Sequence, residues 1–431
     1  MPKYTTDMVL DAAFPVAIFG MGVSGRGAAA LLEKHGFSWV GYDSNSAFNR
    51  WKSEYAGTHR LVVLSPGFAP DHAWVRDAEA AGLRVISELD LAAHFWPGRI
   101  VAITGTNGKT TLTSFLAKVF NYAGFEAVAV GNIGDSFAGV LSRQSYSEQA
   151  VAVCEVSSFQ AEQTHRVCWD GIIWTNFTED HLERHGSMED YFLAKAQLFK
   201  NVAPDAPIVV GKSVSEAARR FEVILPSSCF NGDFDAGEVI PSAFRSAAQT
   251  QNYRQACLFW RLWGGDIDAL EQAAADYSLP SHRLERIPSR VDGPVFWDDS
   301  KATNFAATLA ALDTFSEDPV VWIGGGLSKG GDLQNFTNKL SERITCAVLL
   351  GAEQNALKAA LESRGIRVYT SSSMNDAVEQ AVLFSTTLPS AQVLLSPGFS
   401  SLDEYPSYSA RGLAFQKAVR ASMDRDLIAN P

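Results

Sequence analysis

This chain of 431 residues predicts an α/β architecture with parallel sheets, divided among three domains. Two observations carry that expectation. First, an apolar strand running into a Gly-rich turn occurs three times. The turns are Gly20-Met21-Gly22-Val23-Ser24-Gly25, Thr104-Gly105-Thr106-Asn107-Gly108-Lys109-Thr110-Thr111 and Gly324-Gly325-Gly326-Leu327-Ser328-Lys329-Gly330. Second, short β-branched runs between these turns alternate with amphipathic stretches, the pattern of strand–helix–strand units.

The first turn follows Val16-Ala17-Ile18-Phe19 and opens a helix expected over Arg26 to His35. A second strand, Phe37 to Tyr42, then ends at Asp43. Glycines at this spacing, with an acid about twenty residues on, form a dinucleotide-type fingerprint and make the domain Rossmann-like. The motif does not choose the nucleotide, because glycines and a helix N-terminus accept any diphosphate.

A domain boundary is expected near Trp96-Pro97-Gly98. Beyond it, Ile100-Val101-Ala102-Ile103 leads into the second turn, and Leu112 to Tyr122 continues as a helix. Small residues let backbone N–H groups approach polyphosphate oxygens, and the helix start adds partial positive charge. Lys109 is placed to neutralise β/γ oxygens and the Thr110 hydroxyl to ligate Mg²⁺. Ile103 stands where the usual loop has its first glycine, so this is a shortened variant of a P-loop ATPase-type parallel sheet.

Three later segments add candidate ligands. In Val153-Cys154-Glu155-Val156-Ser157-Ser158-Phe159-Gln160, a strand-end acid is either a Mg²⁺ ligand or a cap for the next helix. Thr175-Asn176-Phe177-Thr178-Glu179-Asp180-His181 clusters further ligand types after an apolar strand. In Tyr191 to Phe199, Lys195 lies on the apolar face. It either snorkels to solvent or is desolvated with a lowered pKa, and a neutral amine could add CO₂ to become a carbamate. The segment from Ser227 to Thr250 is expected to hold loops or short strands. A second boundary is expected near Ser278-Leu279-Pro280-Ser281, where Pro punctuates a helical run. Arg283 and Lys301, in Ser281-His282-Arg283-Leu284-Glu285-Arg286 and Trp297-Asp298-Asp299-Ser300-Lys301-Ala302-Thr303-Asn304, could close over a phosphoryl group. Lys329 could bind a carboxylate.

Composition bounds the class. Hydrophobic residues at 46% and charged residues at 19% suit a soluble globular protein, and a net charge of −12 argues against a nucleic-acid surface. Cys154, Cys168, Cys229, Cys257 and Cys346 are scattered without CxxC spacing, which favours free thiols in a reducing compartment. The polar start (Met1 to Thr6) has no signal-like apolar region, and no apolar run is long enough to span a bilayer. A cytoplasmic protein is expected.

Taken in order, GMGVSG, LSPGF, AITGTNGKTT, GNIG, CEVSSFQAE, TNFTEDHLERH, YFLAKAQLF, SHRLE, DDSKATN, GGGLSKGGD and LLSPGFSSLDEYPSYSARG resemble the Mur ligase family over nearly the whole chain. EVSSFQ, TEDHLERH and the closing segment resemble the members that add D-glutamate to UDP-N-acetylmuramoyl-L-alanine. The resemblance implies an ATP- and Mg²⁺-dependent amide ligase of the cytoplasm. It would be monomeric, with no nucleic-acid partner and no membrane span. It implies a UDP-substrate domain at 1–96, an ATP domain at 97–279 and a C-terminal, Rossmann-like glutamate domain at 280–431.

Roles follow position by position. Gly105, Thr106, Asn107, Gly108, Lys109, Thr110 and Thr111 would hold the ATP phosphates. Thr110 and Glu155 would hold one metal, and His181 with carbamylated Lys195 a second. Asn252 and Gln255 would face the adenine, and His282, Arg283, Asp299 and Lys301 would complete the site. Val23, Ser24, Asp43 and Ser44 would hold the UDP end, and Asn132 and Gln160 the muramoyl-alanine end. Lys329, Ser401 and Tyr408 would face glutamate. Departures occur at Gln251 and Gln255 in the adenine run, at Asn45 where a cation is frequent, and at Tyr408 where Phe is usual.

Overall fold

The computed structural model describes residues 10–45, 47–232, 239–288, 293–315 and 318–429. The polar start Met1 to Thr6 lies outside the described residues. The apolar runs form three sheets, and in two of them every strand pair is parallel.

The first sheet is β1 (Val16–Phe19), β2 (Trp39–Tyr42), β3 (Leu61–Leu64) and β4 (Arg84–Ser87), in the order β2-β1-β3-β4. Its core is aromatic: Phe19 meets Trp51, Tyr42 and Trp74 edge-on, with ring centroids 4.9, 5.9 and 5.7 Å away. The helix after β1 spans Val23–Lys34, three residues earlier than its sequence pattern suggests. Gly22 caps it without a side-chain bond, so the glycine turn passes directly into the first helical turn.

The second sheet is β5 (Arg99–Thr104), β6 (Ala127–Gly131), β7 (Val151–Glu155), β8 (Gly171–Trp174), β9 (Ile208–Val210) and β10 (Cys229–Asn231), in the order β10-β9-β8-β5-β7-β6. Strands β5, β7 and β8 are buried almost end to end, as expected of parallel strands covered on both faces. The sheet grows in opposite directions from β5, so β7 and β8 flank the strand that carries the phosphate-type turn. Ligands of open α/β sheets bind beyond the carboxyl ends of strands at such a switch point. The irregular stretch after Ser227 contains β10, a 3₁₀ turn (Ser242–Phe244) and the start of the helix Ala247–Trp263. Residues 233–238 within it lie outside the described residues.

The third sheet is β11 (Glu285–Ile287), β12 (Val295–Asp298), β13 (Val320–Gly325), β14 (Cys346–Leu350), β15 (Arg367–Thr370) and β16 (Gln392–Leu395), in the order β11-β12-β16-β13-β14-β15. Only β11 runs antiparallel, at the edge. Alternation along β13 sorts its side chains to two cores. Val321 and Ile323 join Val348, Val378 and Phe415 on one face, while Val320 and Trp322 join Leu349, Leu357 and Phe399 on the other.

The chain falls into two compact units. One holds the first two sheets; the other comprises residues 178–188, 245–248 and 278–431. In the first unit the two sheets are joined through their helices. A Cβ on Gly27, in the helix after β1, would strike the Ser136 hydroxyl and the Gly139 backbone, so two helices approach closely there. None of the five cysteines is joined in a disulfide. Among the described residues no helix is long and apolar enough to cross a membrane.

Candidate active site

The phosphate-type turn is built by two glycines that only glycine can supply. Gly105 has φ +142° and Gly108 φ +85°, and Cβ atoms there would run into the Thr175 hydroxyl and the Asn252 amide respectively. Gly108 starts the helix Lys109–Tyr122, three residues earlier than expected, and no side chain caps it. An uncapped helix start behind a glycine turn is a ready site for an anion. Lys109 Nζ donates to the Gly105 and Thr106 carbonyls at 2.9 and 2.8 Å, which folds the ammonium over the turn.

Residues that sequence reasoning passed over brace this loop. Asn176 Oδ1 accepts the Asn107 N–H at 2.9 Å, and the Thr175 hydroxyl donates to the Asn107 carbonyl at 2.6 Å. Both follow β8. They lay in a segment read for metal ligands, and only the pairing of β8 beside β5 reveals their second use.

Glu155 ends β7 in register with Ile103 on β5. It is 2% exposed. One carboxylate oxygen accepts from Asn132 Nδ2 at 3.2 Å, and Oε2 is buried with no hydrogen-bond partner. The helix-cap alternative fails, because Ser157 and Gln160 cap the helix Ser158–Gln163 with a reciprocal capping box. A buried carboxylate oxygen without a donor is costly, and a hard cation supplies the missing partner. The residues present therefore fit Mg²⁺. Thr110 is half-buried at the helix start, and Thr111, fully buried, keeps its hydroxyl without a partner.

Lys195, in the helix Met188–Ala196, does not snorkel to solvent: it is 1% exposed. Its Nζ donates to the Gly105 carbonyl at 3.1 Å and the Thr104 hydroxyl at 3.3 Å, and lies 5.0 Å from the Tyr191 ring centroid. It therefore reaches the carboxyl end of β5, where the turn begins. On the adenine run, Asn252 is buried against Gly108 and donates to Gln249 Oε1 at 2.9 Å. Gln255 is also buried and donates its amide to the Thr175 carbonyl at 2.8 Å, so it ties the helix to the end of β8.

In the first sheet, Asp43 accepts the Met21 N–H at 2.6 Å and the Asn45 N–H at 2.9 Å. These bonds, the Asn45 one foremost, hold its carboxyl below the usual range. The acid braces the glycine turn beside exposed Val23, and Ser44 donates to it at 3.4 Å.

The second unit gathers the remaining residues. His181 has φ +55° and precedes the short helix Leu182–His185. Its ring nitrogens lie 3.6 Å from Asp180 and 3.4 Å from Glu183. Lys329 pairs with Asp180 at 3.4 Å and donates to Thr303 Oγ1 at 3.3 Å. Burial pushes the Asp299 carboxyl up to about 7, against the Ser396 hydroxyl, the Leu284 N–H and the charge of Arg283. Lys301 Nζ sits over the Tyr408 ring, 4.1 Å from its centroid, and Ser401 is buried. Arg411, missed from sequence, is buried and donates to the carbonyls of Ser300 and Phe399 and to the Ser300 hydroxyl.

Comparison with known proteins shows the family. The family description "Mur ligase middle domain" matches residues 103–229, and "Mur ligase, glutamate ligase domain" matches 282–398. The UDP-N-acetylmuramoylalanine–D-glutamate ligase of Shouchella clausii is 31% identical over 436 residues, covering 93% of this chain and 95% of that one. The protein of the same name from Thermus thermophilus is 32% identical over 427 residues, covering 94% and 97%. In fold, the chain resembles the crystal structure of MurF ligase from Thermotoga maritima in complex with ADP, with TM-score 0.59 at 14% identity, covering 89% of this chain and 94% of that one. The chain belongs to the Mur ligase family, among the UDP-N-acetylmuramoylalanine–D-glutamate ligases.

Proposed function

We propose that this protein joins D-glutamate to UDP-N-acetylmuramoyl-L-alanine at the expense of ATP, in cytoplasmic synthesis of peptidoglycan precursors. The observation that carries the reading is the end of β5. A glycine turn with Lys109, the orphaned Glu155 oxygen and buried Lys195 converge there within a chain of this family.

A carboxylate does not acylate an amine at neutral pH, because the leaving group would be oxide. Transfer of the γ-phosphoryl group of ATP to the muramoyl-alanine carboxylate gives an acyl phosphate and ADP. The glutamate amine then attacks the acyl carbon, and phosphate leaves from the tetrahedral intermediate. The 105–111 turn cradles the phosphates. Lys109, Arg283 and Lys301 offset the charge that develops on the transferred group. Mg²⁺, when bound, neutralises phosphate oxygens and orients them for transfer. Thr110 and Glu155 are the residues that would hold one Mg²⁺, and His181 and carbamylated Lys195 would each offer a ligand to a second; Lys195 changes from cation to oxygen ligand on carbamylation.

Asn252, Gln255 and Asp299 complete the nucleotide site. Val23, Ser24, Asp43 and Ser44 take the UDP end, and Asn132 and Gln160 the muramoyl-alanine end. Lys329, Ser401 and Tyr408 take glutamate. The corresponding domains are 1–96, 97–279 and 280–431, acting as a monomer.

The test is phosphate release with UDP-N-acetylmuramoyl-L-alanine and ATP, comparing D-glutamate with L-glutamate and other amino acids. Release that requires both the acceptor and D-glutamate is expected. Release with another amino acid in preference would assign the chain a different acceptor.

A further inference from the structure

Arg283 occupies an unusual stretch of backbone. The residues on either side, His282 (φ +65°) and Leu284 (φ +47°), are both left-handed and neither is glycine. Such conformations are strained and persist only where the surroundings over-determine them. Here they do. Glu285 Oε2 accepts the His282 N–H at 2.9 Å, and Asp299 Oδ1 accepts the Leu284 N–H at 3.2 Å. The Lys301 N–H donates to the His282 carbonyl at 3.2 Å. His282 Nδ1 meets Asp298 Oδ2 at 2.7 Å.

One face of the last helix, Tyr408–Ala429, receives this network. Tyr408, Gly412 and Gln416 are spaced four apart and so share a face. Tyr408 underlies Lys301, and its carbonyl accepts from the Ser300 hydroxyl at 2.8 Å. A Cβ on Gly412 would collide with the His282 ring, so the glycine lets the imidazole seat on the helix. Gln416 Nε2 donates to Asp298 Oδ2 at 2.9 Å and to Glu285 Oε2 at 3.4 Å. It thereby joins the two carboxylates that grip His282 from ring and backbone. His282, Glu285 and Asp298 could also be read as a metal cluster, since their ligand atoms lie within 4.8 Å of one another. The Gln416 amide already bridges both carboxylates of that cluster.

We propose that Gln416 is a positioning residue for the ligase reaction. By clamping Asp298 and Glu285, it holds His282 left-handed on the helix and so aims Arg283. The inference rests on the reading of Arg283 as a cation for the transferred phosphoryl group.

The test measures kcat and the KM values for ATP, the UDP substrate and D-glutamate in Gln416→Leu, Arg283→Lys and the double variant, with thermal melting of each. Gln416→Leu is expected to lower kcat roughly 10- to 100-fold, as for displacement of a catalytic group from its working geometry. The KM for the UDP substrate should be unchanged and the melting temperature close to wild type. In the Arg283→Lys background the same substitution should cost almost nothing, because the group it aims is already altered. Asp298→Asn, which keeps the shape but loses the charge, should repeat the pattern and serves if Gln416→Leu does not fold. An undiminished loss in the Arg283→Lys background would overturn the inference alone. Wild-type turnover in Arg283→Lys would overturn the reading beneath it as well. One zinc ion retained per chain after dialysis would also overturn the proposal, by making the cluster a metal centre.

Discussion

At the residue scale the proposed chemistry rests on three side chains at the end of β5, and each has its own signature. Lys109 lies folded over the turn through two carbonyls. Lys109→Ala is expected to abolish acceptor-dependent ADP release, by at least about 100-fold, because a positioned cation is lost from the phosphoryl group. Coupled ADP detection checks it, and wild-type turnover would remove the lysine from the mechanism. Lys195 is held away from water by the Gly105 carbonyl and the Thr104 hydroxyl. Lys195→Ala should be inactive and regain part of its turnover in a short carboxylic acid, which replaces the carbamate oxygens. Full activity without the acid would exclude a carbamate. Glu155 differs from both in that its orphaned oxygen identifies a missing partner directly. From sequence, a cap for the next helix is its alternative role. The Ser157–Gln160 capping box removed that alternative, and nothing short of the folded turn could have done so.

At the element scale the joint between the first two sheets contains a buried acid. Glu88 opens the helix Glu88–Phe95 after β4, and its Oε1 accepts the Ala138 N–H, 2.6 Å away, in the helix Phe137–Arg143. Its other oxygen is buried without a partner, and burial pushes the carboxyl up to about 7. A carboxyl whose folded pKa exceeds its unfolded value of 4.5 binds more protons in the folded state between those two values. Stability from this group is therefore intact below about pH 4.5, declines as pH rises toward 7, and stays reduced above it. Glu88→Gln should remove this decline, which amounts to about 3 kcal/mol at full shift. Urea unfolding from pH 5 to 8 measures it; an unchanged pH slope in the variant would show that Glu88 ionises normally. The signal was invisible in sequence. Ser87 and Asp90 form a capping box at this helix start, but Glu88 is turned toward a second helix 50 residues further along.

At the scale of the whole molecule, three sheets place three glycine turns at carboxyl ends of strands, and each turn has a different fate. The turn after β5 opens an uncapped helix. The turn after β1 is braced by Asp43, and Lys329 of the third pairs with Asp180. The first turn alone reads as a dinucleotide site, so the full-length protein offers a direct discrimination. A ligand at 100 times its Kd that binds only the folded state adds about 2.7 kcal/mol. UDP-N-acetylmuramoyl-L-alanine and a non-hydrolysable ATP analogue should each raise the melting temperature, whereas NAD should leave it unchanged. A shift with NAD alone would mark the first domain as a dinucleotide site instead.

Much of this architecture was legible in the sequence because its signals are local. Continuous apolar runs mark strands covered on both faces, glycines at positive φ mark tight turns, and Lys-Thr after such a turn marks a phosphate site. Element ends were less legible. The helices Val23–Lys34 and Lys109–Tyr122 each begin three residues early, because their first turns are made of turn residues rather than apolar ones. What the sequence by itself determined is the order of strands, turns and chemical groups along the chain. Only the tertiary structure decided which groups share a neighbourhood: Asn176 and Thr175 under the phosphate turn, Lys195 at the end of β5, Gln416 on the carboxylates that hold His282. The physical reason is that these contacts join residues tens to more than a hundred positions apart. Sheet order and helix packing set them, and no local propensity encodes either.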